Sequence, residues 1–178
     1  MRKLDNDELN RKSLIEFRNS SKTPVVVVLD NVRSLNNIGS VFRTADAFLI
    51  EAVYLCGITA TPPHREIHKT ALGATESVIW NYFAKTTDAI ISLRNEGYLI
   101  VSVEQAEGSV SLENFEPEKD RKYALVFGHE IKGVIEEVLN LSDYCIEIPQ
   151  YGTKHSFNIA VSAGIVLWEL SKKINSLK

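Results

Sequence analysis

Three polar segments of this chain carry residue types that could do chemistry together. The first, DNVRSLNNIGSVFRTADAF from Asp30 to Phe48, holds a carboxamide at Asn37 and a guanidinium at Arg43. The second, FGHEIKGV from Phe127 to Val134, sets Glu130 between Gly128 and Gly133. The third, IPQYGTKHSFN from Ile148 to Asn158, ends on the hydroxyl of Ser156 and the carboxamide of Asn158. A guanidinium can grip a phosphate bidentately and stabilise a developing oxyanion. Glycines let backbone N–H groups come close to a ligand. Each segment also has an ordinary explanation: Asn37 as a helix cap with a solvated Arg43–Asp46 ion pair, a turn with a charged tip at Glu130, and a core helix capped by Ser156.

The elements that must position these groups can be read from hydrophobic pattern. Val25 to Leu29 is a continuous β-branched run, the mark of a strand buried on both faces. After it, Ile38, Val41, Phe42, Ala45 and Leu49 fall at helical spacing, with Arg43 and Asp46 on the other side. AVYLCG is a second strand, TATPPH a loop, HREIHKTALGA a short helix and SVIWNYF an extended segment. Thr87 to Glu96 reads as a helix stopped by Gly97, and YLIVSV as a strand. GSVSLENFEPEKD reads as a surface loop, YALVFG as a fifth strand, Val134 to about Leu141 as a helix and YCIEI as a sixth strand ended by Pro149. From Ser156 follow about fourteen residues of helix, apolar on nearly every face and so expected to be buried on most sides. Asn158 and Ser162 lie one turn apart on it. Strands alternating with helices predict an α/β fold with a mostly parallel sheet and a ligand site outside the carboxyl ends of its strands. Residues 5–19 read as an amphipathic helical arm, which divides the chain into an arm at 1–22 and a domain at 23–178.

Composition narrows the class. The 178 residues are 44% hydrophobic and 24% charged, as in an ordinary globular domain. No apolar run approaches the roughly 20 residues needed to span a bilayer, and the mixed-charge N-terminus lacks the apolar core of a signal peptide. Cys56 and Cys145 sit in apolar strand-like runs, which reads as two buried thiols in a reducing cytoplasm. His64 and His68 are one turn apart, but HREIH is not the zinc-binding HExxH order, so they read as surface histidines and no metal is expected. The net charge of −3 argues against binding nucleic acid through bulk electrostatics. A local basic face is still available from Arg33, Arg43, His64, Arg65, Lys69, Lys132, Lys154 and His155.

In this order the motifs NxxxxxRTxDA from Asn37, FGxExxG from Phe127 and IPxxGxxxSxNxxVxxG from Ile148, with KTALGATESV between the first two, resemble one family. The chain is similar to the SpoU (TrmH) branch of the SPOUT superfamily of RNA 2′-O-ribose methyltransferases, over nearly everything from Val25 to Leu170. The resemblance implies a deep C-terminal trefoil knot, S-adenosylmethionine as cofactor, and transfer RNA or ribosomal RNA as substrate, with transfer RNA slightly favoured. It implies a homodimer whose active site draws on both subunits. Asn37 and Arg43 match the family's asparagine and catalytic arginine, Glu130 its acidic residue, and Ser156 and Asn158 its polar pair. Gly128, Ile148, Phe157 and Val103 fall at cofactor-contacting positions, and the family usually has leucine where Phe157 stands. Arg43 would either hold a phosphate and stabilise an alkoxide or, in contact with a phosphate, accept the ribose proton. A free guanidinium, with a pKa above about 12, is not a base.

Two other readings compete. A Rossmann-type nucleotide enzyme needs a GxGxxG after Val25–Leu29, where none stands. A non-catalytic RNA-binding factor would keep the knotted fold without the activity.

Overall fold

The β-branched run near the N-terminus becomes an inner strand covered on both sides. The computed structural model describes residues 1–177. A 3-10 turn at Asn6–Leu9 precedes α1 (Leu14–Asn19), β1 (Thr23–Asp30), α2 (Leu35–Ala47), β2 (Ile50–Cys56), α3 (Arg65–Ala71), α4 (Ala74–Ser77) and β3 (Ile79–Phe83). Then come α5 (Thr86–Asn95), β4 (Tyr98–Val103), β5 (Val110–Ser111), β6 (Lys122–Phe127), α6 (Glu136–Asn140), β7 (Tyr144–Glu147) and α7 (Ile159–Ser176). The strands form one seven-stranded sheet in the order β3-β2-β1-β6-β4-β7-β5, and every pairing is parallel.

Side chains alternate across each inner strand, so one run of valines feeds two cores. Val25, Val27 and Leu29 join Phe42, Ile67 and Leu167 on the face covered by α2, α3 and α7. Val26 and Val28 join Ile90, Leu93 and Val138 under α5 and α6. The helices therefore lie on both faces. α2 and α3 cross closely at Gly39, where an added Cβ would lie 2.1 Å from Thr70 Oγ1 and 2.3 Å from the Ile67 carbonyl oxygen.

Several expectations need correction. The arm is not one helix: Asn10 takes a left-handed conformation, and only the short α1 follows, capped by Ser13. The segment read as a surface loop before β6 contains β5 and the buried Leu112 and Phe115, because a two-residue strand is too short to show alternation. The sheet thus has a strand more than the pattern indicates. The last helix is not capped by Ser156. Asn158 is the cap, its Oδ1 accepting from the Ala160 N–H at 2.9 Å and the Val161 N–H at 3.4 Å. Nor is α7 buried on most sides, since Val161 and Trp168 are 49% and 59% exposed. Cys56 is buried, but Cys145 only half so.

Candidate functional site

The carboxyl ends of β1, β6, β4 and β7 meet at one edge of the sheet, and the three polar segments leave from there. After β1, Ser34 caps α2 by accepting from the Asn37 N–H at 3.3 Å. Asn37 is therefore not the cap itself; it sits in the first turn, which frees its carboxamide.

After β6, the chain folds into a tight loop closed by a reciprocal backbone pair. The His129 N–H donates to the Gly133 carbonyl at 3.0 Å, and the Gly133 N–H returns to the His129 carbonyl at 2.8 Å. Only glycine fits at 128, since a Cβ there would lie 2.1 Å from the Gly133 carbonyl carbon. Glu130 occupies the tip and reaches the start of α2. Its carboxylate accepts from the Arg33 N–H at 3.1 Å, the Ser34 N–H at 2.9 Å and the Asn37 carboxamide at 3.4 Å. An anion at a helix N-terminus is favoured by the helix dipole and by its unpaired N–H groups. Partial burial alone would push the Glu130 carboxyl up. Hydrogen bonds from Ser34, its own backbone, Arg33 and Asn37 outweigh it and hold the group below the usual glutamate range.

After β7, Ile148 to Asn158 runs without regular structure into α7. The Asn158 carboxamide caps α7 with its oxygen, and its Nδ2 donates to Asn37 Oδ1 at 3.1 Å. Glu130, Asn37 and Asn158 thus form one hydrogen-bonded line joining all three motifs.

Beside this line lies a cleft of about 490 Å³, within the usual size of a cofactor site. Gly128, Ser156, Phe157 and Asn158 help to line it. An adjoining cavity adds Val103 and Ile148 and shares Ser156, Phe157 and Ser162 with the first. All of the expected cofactor positions therefore line these two neighbouring cavities, the larger one mostly polar with exposed loop backbone and the smaller one mostly apolar. Arg43 stands apart. It is exposed on α2, and among the described residues it makes no ion pair; Asp46, the expected partner, instead accepts from Ser77 Oγ. Of the expected basic face, Lys69 is paired with Glu66 at 2.7 Å, while Arg33, Lys132, Lys154 and His155 are exposed, Lys132 and His155 on the cleft itself. Among the described residues no cluster of His, Cys, Asp or Glu could hold a metal ion.

Two carboxylates at strand ends were not singled out from the pattern. Glu104, just past β4, lines both cavities and accepts from the Val134 N–H at 3.0 Å. Asp30, the buried end of β1, accepts from the Ile135 N–H at 3.2 Å and from Thr86 Oγ1 at 2.5 Å. Together they grip the exit of the glycine loop. The available signal is an acid directly closing an apolar strand, in VVVVLD and YLIVSVE, where a carboxylate needs partners.

An all-parallel sheet with a cleft and converging polar loops at its carboxyl edge is the layout of an α/β enzyme that holds a nucleotide-like cofactor. The chain belongs to the SpoU rRNA Methylase family, which it matches over residues 24–168. It is 28% identical over 168 residues to an uncharacterized tRNA/rRNA methyltransferase of Borreliella burgdorferi, covering 93% of this chain and 72% of that protein. It is 29% identical over 170 residues to the tRNA (guanosine(18)-2′-O)-methyltransferase of Aquifex aeolicus, covering 93% of this chain and 77% of that one. The fold is also similar to the AdoMet-bound rRNA methyltransferase of Sinorhizobium meliloti, with a TM-score of 0.79 and 30% identity. That comparison covers 88% of this chain and 59% of the other, so the chain spans about three-fifths of its length.

Proposed function

We propose that this chain transfers a methyl group from S-adenosylmethionine to a ribose 2′-hydroxyl of transfer or ribosomal RNA. The observation that carries the reading is the Glu130–Asn37–Asn158 line beside a cofactor-sized cleft, which brings the three motifs of this family to one place. The same line favours methyl transfer over a non-catalytic binding factor, which has no need to keep all three motifs joined.

The cofactor, when bound, supplies an already activated methyl on a sulfonium, so the protein has chiefly to align the partners and help remove a proton. Gly128, Val103, Ile148 and Phe157 would hold it. Arg43, exposed and without an ion pair among the described residues, is available to grip an RNA phosphate bidentately next to the reacting hydroxyl. Asn37, Ser156 and Asn158 orient the ribose or the guanidinium. Glu130 is spent on backbone N–H groups, and we assign it to organising the loop, not to taking the proton.

The finer features follow the same reading. The return of the chain from β6 through α6 to β7, on the far side of β4, supports a threaded C-terminal knot. Exposed Val161 and Trp168 give α7 an apolar stripe next to the site, which supports a symmetric homodimer whose partner completes the surroundings of Arg43. Residues 1–22 form an arm, held by the buried Phe17 and by Arg18 Nη2 donating to the Glu76 carbonyl at 2.8 Å, and 23–178 the catalytic domain. Free Cys56 and Cys145 suit a cytoplasmic setting. Transfer RNA is the first substrate to try, because the Aquifex relative is named for one.

The test uses methyl-labelled S-adenosylmethionine with undermodified transfer RNA and ribosomal RNA kept separate, then digestion to nucleosides and mass spectrometry. Label in a 2′-O-methyl nucleoside, lost in Arg43→Ala, is expected. Label on a base, or undiminished transfer by Arg43→Ala, would overturn the assignment.

A further inference from the structure

One helix away from α2, which carries Arg43, lies a separate cavity of about 500 Å³ that the proposed methyl transfer does not use. Pro62 and Pro63 from the loop after β2, His64 at the cap of α3, Arg65 and His68 on that helix, and Trp80 on β3 line it. The loop after β2 opens on the same sheet edge as the candidate site, because every strand is parallel. His64, Arg65 and His68 are exposed, and Arg65 makes no ion pair among the described residues. The His64 Nδ1 accepts from the Glu66 N–H at 3.2 Å, which leaves its Nε2 to meet a ligand. Flat apolar surface from two prolines and an indole, beside a guanidinium and two imidazoles, is a poor fit to an aliphatic ligand. It suits an unstacked nucleobase with its phosphate. Bases stack on aromatic faces whatever their identity, and arginine takes the backbone. Glu76 also lines the cavity and can accept from an exocyclic amine, as acidic side chains do in reading cytosine.

We propose that this cavity holds one unpaired base of the RNA substrate, outside the methylated nucleotide, stacked on Trp80 with its phosphate on Arg65. The inference rests on the proposed RNA methyl transfer and adds a second point of attachment for the strand. α3 packs directly on α2 through Gly39, and a helix with its side chains is about 10 Å across, so a strand leaving Arg43 reaches the cavity within a few nucleotides.

The test cross-links the full chain by ultraviolet light to undermodified transfer RNA and ribosomal RNA and maps the adducts by mass spectrometry. Binding of the wild type and of Arg65→Gln is measured alongside as a function of salt. Arg65 is exposed, so its change leaves the core alone, and S-adenosylmethionine binding reports the fold. Adducts on the peptide spanning 62–80 are expected, with binding by Arg65→Gln weaker by about three- to tenfold and its salt slope lower by about 0.7, one single-strand phosphate. RNA bound with adducts only around Arg43 and the loop before Asn158, and an unchanged Arg65→Gln, would overturn the second attachment and leave the methyl transfer standing. A wild type that binds neither RNA would overturn both.

Discussion

The Asn158 carboxamide donates to Asn37 Oδ1 at 3.1 Å, across 121 residues of sequence. It ties the cap of α7 to the first turn of α2. A double-mutant cycle with Asn37→Ala and Asn158→Ala is expected to give a coupling of about 0.5–1.5 kcal/mol in urea unfolding. Asn158→Ala alone should cost about 1 kcal/mol more than that bond, because it also uncaps α7. Strict additivity of the two changes would mean that the bond contributes nothing in solution.

Glu130 makes the stability of the site depend on pH. Its folded carboxyl titrates below the ordinary glutamate value of 4.5, because hydrogen bonds to the ionised form outweigh partial burial. The stability it adds is therefore fully present above that value and is lost as pH falls through the lower, folded one. Glu130→Gln should cost about 1–3 kcal/mol near neutral pH, and the difference from wild type should shrink as the solution is acidified below the ordinary value. A difference that stayed constant down to that range would contradict the account.

Arg43→Lys keeps the charge and discards the planar fork. If bidentate phosphate contact is what Arg43 supplies, methyl transfer should fall by about tenfold or more while cofactor affinity stays within a factor of two. Retention of full activity would reduce the role to that of a point charge.

Glu104 holds the exit of the glycine loop through the Val134 N–H. Glu104→Gln weakens that acceptor and offers an amide in its place, so calorimetry should show S-adenosylmethionine binding about tenfold weaker, with the melting temperature little changed. An affinity equal to wild type would detach Glu104 from the cofactor cleft.

Burial pushes the Cys56 thiol up to about 12, with a neighbouring Thr86 hydrogen bond opposing the shift and Asp30 adding to it. Iodoacetamide at pH 8 should leave Cys56 unmodified in the folded protein and label it once urea unfolds the chain, since only the thiolate reacts. Labelling of native Cys56 at the rate of a free thiol would show that β2 opens readily.

Much of this protein follows from its sequence taken alone. The valines of β1 and the apolar run of β6 can be satisfied only by cover on two faces, and the helical stripe from Ile38 to Ala45 supplies some of it, so a parallel α/β sheet is close to forced. The three motifs are equally local: their glycines, carboxamides and charges stand at spacings that can be read without coordinates. Partnership is another matter, because a period of two or of 3.6 says which face is buried and nothing about what lies against it. Ser34 and Asn158 prove to be the caps where the pattern points to Asn37 and Ser156, since the choice depends on which side chain is drawn to a distant group. Asn37 turns from its own helix because Glu130 and Asn158 arrive from far along the chain. The grip of Glu104 and Asp30 on the glycine loop likewise exists only once β4 and β1 flank β6. Strand order, set by how the whole chain packs its two cores, is what turns three separate loops into one site.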